Sequence, residues 1–222
     1  MKLIVLSCSK NKETFYPFWY LMQKYYPNHP EVIYFTDEII NPFYKTIPIK
    51  HDLEHWTTGL REFLSQIDDE KILLMIDDCF IRCPVDQKRI EEAAEYIGGN
   101  IALMNFEKSW DENDEETDLQ GWKKRKHGSE FEVSLMCGIW QKDKLLKVIE
   151  RDCDPWQIET NQMNYGFDYY INAGDYIIDW GYRTFKPCNI MKGKWTRECK
   201  DFLESEGLVV DYSKKGFVDE KR

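Results

Sequence analysis

The sequence predicts a single-domain α/β protein with a mostly parallel central sheet flanked by helices. Residues 72–76 are five consecutive apolar residues bounded by polar ones, which is typical of a strand buried on both faces of a sheet. The first 36 residues read as strand, helix and strand, and this β-α-β order favours parallel pairing. A chain of 222 residues suits one large domain.

The first half of the chain alternates short apolar runs with segments of helical periodicity. Pro17 is compatible with the first turn of the first helix, and Pro27 and Pro30 end it. Residues 7–12 form a polar loop after the first strand, and residues 37–50 are expected to be an irregular connection. The predicted elements are strands at residues 3–6, 31–36 and 72–76 and helices at residues 15–26 and 51–67.

The second half is less regular. Asp86 is a good N-cap for the third helix, Pro155 is placed to begin a short helix, and Gly207 ends the last one. Residues 108–128 are acidic and then basic, which predicts a mobile surface loop or, alternatively, a lid or acceptor-binding segment. The predicted elements are helices at residues 84–97, 142–150 and 196–206 and strands at residues 101–106, 176–178 and 184–185.

Composition narrows the function classes. The net charge of −10 and the pI near 5.0 weigh against a broad electrostatic grip on nucleic acid or anionic membrane, although a local basic patch stays compatible. The seven cysteines contain no CxxC and the four histidines do not pair at ligand spacing, so we expect reduced thiols rather than a zinc site. Met1 and Lys2 run directly into a strand-length apolar run, and no segment has the roughly 20 apolar residues of a membrane span. We therefore expect a cytoplasmic protein.

Two carboxylates, Asp77 and Asp78, follow the strand at residues 72–76. In an open α/β sheet, ligands bind in the crevice outside the carboxyl ends of the strands. Adjacent hard oxygen ligands of like charge are best accommodated by a divalent cation, which would in turn hold phosphates. The same pair is also compatible with a simple turn or with a helix cap.

Several further segments occur in a characteristic order. They are residues 4–10, 55–60, 73–81 (Leu-Leu-Met-Ile-Asp-Asp-Cys-Phe-Ile) with 84–86, 134–140 with 144–146, 155–159 (Pro-Trp-Gln-Ile-Glu) and 192–195 (Lys-Gly-Lys-Trp). Together the chain resembles small bacterial and phage glycosyltransferases of the GT-A type, a nucleotide-sugar-binding α/β fold with a DxD-like metal motif. Two positions depart from that pattern. Gly59 stands where the family usually has an arginine, and Cys79 replaces an aromatic residue.

The resemblance implies a metal-dependent transfer of sugar from a nucleotide-diphosphate donor, first of all a UDP-sugar, to an acceptor hydroxyl. Mn²⁺ or Mg²⁺ would be held by Asp78, with Asp77 as a second ligand or as a contact to the donor ribose. Glu159 matches the downstream acidic position that supplies the general base, and Asp154 is the second choice. The implied donor-binding residues are Ser7, Lys10, Arg61, Asp77, Lys192 and Lys194, and the implied sugar or acceptor contacts are Trp156 and Trp195.

The resemblance also implies a division of labour within the single domain. Residues 1–107 would bind the nucleotide sugar and the metal, and residues 129–222 would form the acceptor side and a closing C-terminal segment. The acceptor could be a polysaccharide, a protein, a small molecule or modified phage DNA. Two other functions stay open: a nucleotidylyltransferase, which would be expected to have a glycine-rich basic loop where residues 7–12 have no glycine, and a non-catalytic nucleotide- or carbohydrate-binding module.

Overall fold

A nine-stranded sheet runs through the centre of the protein. The computed structural model describes residues 1–160, 163–181 and 188–218. Within these residues the sheet contains β1 (Lys2–Leu6), β2 (Val32–Thr36), β3 (Lys45–Pro48), β4 (Lys71–Ile76), β5 (Ile101–Lys108), β6 (Glu115–Glu116), β7 (Trp122–Lys124), β8 (Cys137–Gln141) and β9 (Asp168–Asn172). The strand order is β3-β2-β1-β4-β8-β5-β9-β7-β6.

Most strands of the sheet run in one direction. β1 pairs in parallel with both β2 and β4, β2 pairs in parallel with β3, and β5 pairs in parallel with β9. β8 lies antiparallel between β4 and β5, and β7 is antiparallel to β9 and β6. The predicted mostly parallel α/β sheet in a single domain is confirmed.

Helices cover both faces of the sheet, and a hairpin lies outside it. The helices are α1 (Phe15–Tyr25), α2 (Trp56–Leu64), α3 (Gln87–Tyr96), α4 (Lys142–Val148), α5 (Pro155–Thr160) and α6 (Arg197–Ser205), and two 3₁₀ helices span Ser9–Thr14 and Tyr212–Lys214. The hairpin consists of β10 (Ile190–Met191) and β11 (Lys194–Trp195). No helix in the described parts of the chain combines the length and the apolar character that crossing a membrane requires.

The core is divided by the alternation of side chains along the central strands. Leu3 and Val5 of β1 pack on the face covered by α1, α3 and α6, whereas Ile4 and Leu6 pack on the face covered by α2 and α4. Successive strand residues point to opposite faces, so a strand buried on both sides must be apolar throughout. β4 is buried in the same way, as its apolar run predicted.

Helix boundaries follow the local capping chemistry. Asp86 caps α3 by accepting a hydrogen bond from the Arg89 backbone N–H at 3.1 Å, as predicted. Thr196 caps α6 in the same way, and Gly207 follows that helix with φ of 74°. α2 begins at Trp56 and not at residue 51, where the sequence predicted its start. Leu53, upstream of the helix, is 54% exposed.

Several sequence predictions were wrong outside the strongest patterns. The connection at residues 37–50 contains the edge strand β3, and the polar segment at residues 108–128 contains the strands β6 and β7. Residues 176–178 are not a strand, and β9 was missed because Asp168, Tyr170 and Asn172 interrupt its apolar pattern. The predicted strand at residues 184–185 lies outside the described residues.

Candidate active site

The first carboxylate of the pair, Asp77, lies where two parallel strands end. Leu6 of β1 is paired with Ile76 of β4, so the residues after them share one edge of the sheet. Asp77 is 1% exposed and accepts hydrogen bonds from Ser7 Oγ at 2.6 Å, Thr14 Oγ1 at 2.8 Å and Asn11 Nδ2 at 3.1 Å. Burial raises the pKa of Asp77, and these three donors oppose that shift by stabilising the ionised form. Both carboxylate oxygens are therefore occupied, and Asp77 anchors the loop after β1.

The second carboxylate, Asp78, is available to a ligand. Its side chain makes no hydrogen bond or ion pair with any other residue that the structure describes, and it lines two adjoining clefts. Its backbone carbonyl accepts a hydrogen bond from Ile190 N at 3.1 Å, which ties the turn after β4 to the β10–β11 hairpin. Burial, and after it the negative charge of Asp77, raises the pKa of Asp78. A positive ion at this carboxylate would relieve both effects.

The first cleft is mainly apolar and has a volume of about 290 Å³. Its apolar walls include Leu6, Leu53, Trp56, Leu135, Met136 and Trp156. Its polar groups are supplied by Ser7, Asn11, Asp77, Asp78 and Glu159. A concave apolar pocket with a few converging polar groups is the usual form of a small-molecule site.

Glu159 of α5 lines this cleft, and its carboxylate has a raised pKa. Its Oε1 accepts a hydrogen bond from Leu135 N at 2.8 Å and a longer one from Ser134 Oγ at 3.4 Å. Burial, assisted by the charge of Glu107, raises the pKa of Glu159 to about 7. A carboxylate with a pKa near the working pH is suited to general-base catalysis.

The second cleft is rich in lysine and has a volume of about 760 Å³. It is lined by six lysines: Lys10, Lys12, Lys192, Lys194, Lys214 and Lys215. Lys192 and Gly193 join β10 to β11 with φ of 50° and 75°, a left-handed turn that glycine adopts at low cost. We name this the lysine cleft; it meets the apolar cleft at Cys8, Asn11, Asp78 and Trp156.

Lys215 is a site residue that the sequence did not reveal. Its Nζ donates hydrogen bonds to the Lys10 carbonyl at 2.5 Å and to Asn11 Oδ1 at 3.1 Å. Its positive charge lowers the pKa of both Asp77 and Asp78. The only sequence signal was the pair of adjacent lysines near the end of the chain, remote from every other site residue.

The structure brings together most of the predicted site residues. Ser7, Asp77, Asp78, Trp156 and Glu159 line the apolar cleft. Lys10, Lys192 and Lys194 line the lysine cleft, together with Asp78 and Trp156.

Three predicted site residues are placed elsewhere by their own partners. Arg61 donates to the Ile149 carbonyl at 2.5 Å and to Asp152 at 2.9 Å, which joins α2 to the segment after α4. Asp154 caps α5 by accepting from Gln157 N at 2.8 Å. Trp195 is 0% exposed and stacks on Phe80 with ring centroids 5.9 Å apart. Arg61 and Asp154 are thus engaged in local structure and Trp195 belongs to the core.

The residues at this edge suit a divalent cation that is completed by a substrate. No group of three or more His, Cys, Asp or Glu side chains in the described ranges is arranged to hold a metal ion. Mg²⁺ is commonly bound by one or two carboxylates together with substrate phosphates, and manganese accepts the same oxygen ligands. Asp78, whose carboxylate has no partner in the described parts of the chain, is the residue that would hold such an ion.

Comparison with known proteins identifies the fold. The structure of CMP:2-keto-3-deoxy-manno-octonic acid synthetase complexed with CTP is similar with a TM-score of 0.50 at 12% identity, over 76% of this chain and 87% of that one. The structure of S. aureus TarS 1–349 has a TM-score of 0.48 to this chain at 13% identity, and the match covers 79% of this chain and 58% of that one. A cytidylyltransferase from Leptospira borgpetersenii has a TM-score of 0.48 at 11% identity, and the match covers 93% of this chain and 94% of that one.

Other comparisons add no family. The chain spans 50% of the bifunctional IspDF from Campylobacter jejuni, at a TM-score of 0.47 and 14% identity. No family model and no curated protein matches the sequence. The similarity to the synthetase, at a TM-score of 0.50 and 12% identity, is one of fold, and it agrees with the predicted GT-A-like, Rossmann-type architecture.

Proposed function

We propose that the protein is a metal-dependent glycosyltransferase that moves a sugar from a nucleotide-diphosphate donor to an acceptor hydroxyl. The observation that carries the proposal is that the apolar cleft is lined, beside the hydrogen-bonded Asp77, by two further carboxylates of different character, Asp78 and Glu159. Among the described residues the Asp78 side chain has no partner, whereas Glu159 is held by Leu135 N and has a pKa of about 7. This combination supplies a ligand for a cation and a base for a hydroxyl.

The clefts offer complementary surfaces for the donor. The apolar walls around Trp56 and Leu53 suit a nucleoside, and Ser7 and Asn11 offer polar groups beside them. The diphosphate would lie at Asp78, within the field of the lysines on the β10–β11 hairpin. A UDP-sugar is the first donor to test. A divalent cation bound here supplies charge stabilisation for the leaving diphosphate.

Glu159 would accept the proton of the acceptor hydroxyl. The hydroxyl oxygen attacks the anomeric carbon while the bond from that carbon to the diphosphate oxygen breaks, and negative charge develops on the departing phosphate. Lysine ammonium groups stabilise that charge as point charges. A base with a pKa near 7 is about half ionised at neutral pH and largely ionised at slightly alkaline pH, and it is basic enough to take up the proton of the hydroxyl.

Nucleotidylyl transfer is the second candidate, and the lysine cleft favours it. A triphosphate is strongly anionic, and a synthetase complexed with CTP shares the fold. A sugar-phosphate nucleophile is already anionic and needs no general base, so the position and raised pKa of Glu159 support glycosyl transfer over nucleotidylyl transfer to a sugar phosphate.

The two reactions release different products, so one screen separates them. The purified protein is incubated with UDP-, GDP- and TDP-sugars, with and without manganese, and release of nucleoside diphosphate is followed. In parallel, CTP and UTP are supplied with sugar phosphates and pyrophosphate is measured. The proposal expects manganese-dependent diphosphate release from one sugar donor. Pyrophosphate release alone would establish the second candidate, and donor binding without any turnover would indicate a binding module.

A further inference from the structure

We propose that the acceptor is a phosphorylated saccharide whose phosphate group binds in the lysine cleft. This inference rests on the proposed glycosyl transfer and names the class of its second substrate. The observations that carry it are the charge of the cleft, its size and its junction with the apolar cleft.

The lysine cleft concentrates positive charge in an acidic protein. Six lysines line it against two carboxylates, Glu13 and Asp78, although the whole chain has a net charge of −10. Lys10, Lys12 and Lys192 are exposed, and none of them forms an ion pair with another residue in the described ranges. Lys215 differs from these three, because its Nζ lies 3.9 Å from Glu13 Oε1. Exposed lysines such as Lys10, Lys12 and Lys192, which lie together without carboxylate partners in the described ranges, indicate an anionic ligand.

The donor alone does not account for this cleft. The nucleoside has its own apolar cleft of about 290 Å³, and the lysine cleft adds about 760 Å³ beside it. A donor diphosphate would already be neutralised in part by a cation at Asp78. The remaining lysines and the remaining volume are sufficient for a second anionic molecule, since small-molecule sites span about 300–1,000 Å³.

Trp156 lies where the two clefts meet and connects the anionic site to the base. It lines both clefts and is 63% exposed. It also lies three residues before Glu159 on α5, so the two side chains share one side of this short helix. A sugar ring on the face of Trp156 would direct a hydroxyl towards Glu159 and a phosphate towards the lysines.

The observations favour a small phosphorylated acceptor over nucleic acid. Nucleic-acid binding draws on many phosphate contacts along an extended basic surface. Here the lysines surround one concave site, and the net charge of −10 opposes a long polyanion elsewhere. DNA is therefore the alternative that the experiment must separate.

Binding is measured by calorimetry on the full-length protein, free and loaded with UDP and manganese. The probes are a phosphorylated mannan oligosaccharide, the same oligosaccharide after phosphatase treatment, and a short single-stranded DNA. The cleft variant is Lys12→Gln/Lys214→Gln. The matched control is Lys50→Gln/Lys126→Gln, which removes the same charge at two exposed lysines that line neither cleft.

The inference expects the phosphorylated oligosaccharide to bind about tenfold tighter than its dephosphorylated form. The cleft variant should bind the phosphorylated oligosaccharide about tenfold more weakly than the wild type does, whereas the control variant should bind it with the wild-type affinity. Both variants should keep the wild-type affinity for UDP. Equal binding of the two oligosaccharides, or tighter binding of DNA, would overturn the inference. A cleft variant that loses UDP affinity to the same extent would show that the lysines serve only the donor. Because the probes are also titrated without UDP, failure of the donor proposal is seen separately in the UDP titration.

Discussion

Ser7 Oγ donates a hydrogen bond of 2.6 Å to Asp77 Oδ2, and this contact joins the residue after β1 to the residue after β4. The parallel pairing of Leu6 with Ile76 brings the two side chains to the same sheet edge. Asp77 is thereby turned into the protein, and Asp78 faces the clefts. One carboxylate of the pair is held by protein donors, and the other has no partner among the residues that the structure describes.

The variant Ser7→Ala should destabilise the fold by about 1–3 kcal/mol, because a buried carboxylate loses one of its donors. The donors stabilise the ionised form of Asp77 and so lower its pKa. The difference in unfolding free energy between Ser7→Ala and the wild type should therefore grow as the pH rises. Urea unfolding at several pH values measures this difference. Ser65→Ala at an exposed hydroxyl is the control, and an equal, pH-independent loss in both variants would contradict the anchoring role of Ser7.

The two tryptophans assigned by sequence to the sugar pocket should behave differently. Trp195 is fully buried against Phe80, so Trp195→Ala should cost about 3–5 kcal/mol of unfolding free energy. Trp156 is 63% exposed, so Trp156→Ala should change stability by less than about 0.5 kcal/mol and should act on ligand binding instead. Urea unfolding of both variants measures these two changes in unfolding free energy. Similar losses in both would mean that Trp156 is also a core residue.

Sequence patterns were sufficient to predict the central strands and the position of the aspartate pair, because one physical rule determines each of them. The apolar runs of β1 and β4 must be buried on both faces, and their parallel order placed Asp77 and Asp78 at the carboxyl edge of the sheet, where ligands bind in open α/β folds. Glu159 was singled out by the family resemblance and not by a local pattern, and the structure shows it lining the apolar cleft. Only the inference about the aspartate pair needed no more than local periodicity and strand order.

The remaining features depend on contacts that are distant in the sequence. Lys215 reaches Asn11 from a position 204 residues away, which no local pattern reveals. Arg61 and Trp195 had suitable chemistry for a site, but Asp152 and Phe80 hold them elsewhere. Likewise, the charge of residues 108–128 suggested a solvated loop because the partner of Arg125 could not be recognised from composition.

Substitution of Arg125 tests whether the charged segment at residues 108–128 is packed into the protein. Its guanidinium lies 3.2 Å from Asp114 Oδ2, and the two side chains are 2% and 0% exposed. Arg125→Met should destabilise the protein by about 3–5 kcal/mol, because Asp114 would be left as an uncompensated buried charge. Lys126→Met, at the exposed neighbouring lysine, should have little effect in the same unfolding measurement. Equal behaviour of the two variants would mean that the segment is solvated, as its composition suggested.

Glu159 should leave a signature in the pH dependence of stability. Its pKa is raised from 4.5 to about 7, so between these values the folded state holds a proton that the unfolded state releases. Folding stability from this group is therefore present at low pH and is lost as the pH rises from about 4.5 to about 7. Glu159→Gln should remove this loss, so its advantage over the wild type should grow across the same interval. An unfolding free-energy difference that does not change with pH would show that the pKa of Glu159 is not raised.

Glycosyl transfer at this site requires a division of roles between Asp78 and Glu159. The deciding measurement is manganese-dependent binding and turnover of a UDP-sugar by Asp78→Asn and by Glu159→Gln, compared with the wild type. Asp78→Asn should lose about tenfold or more of the manganese-dependent donor affinity. Glu159→Gln should bind the donor as the wild type does, while its transfer rate falls by about 10²–10⁴-fold. Donor binding by Asp78→Asn with the manganese dependence of the wild type would contradict the assignment of the site.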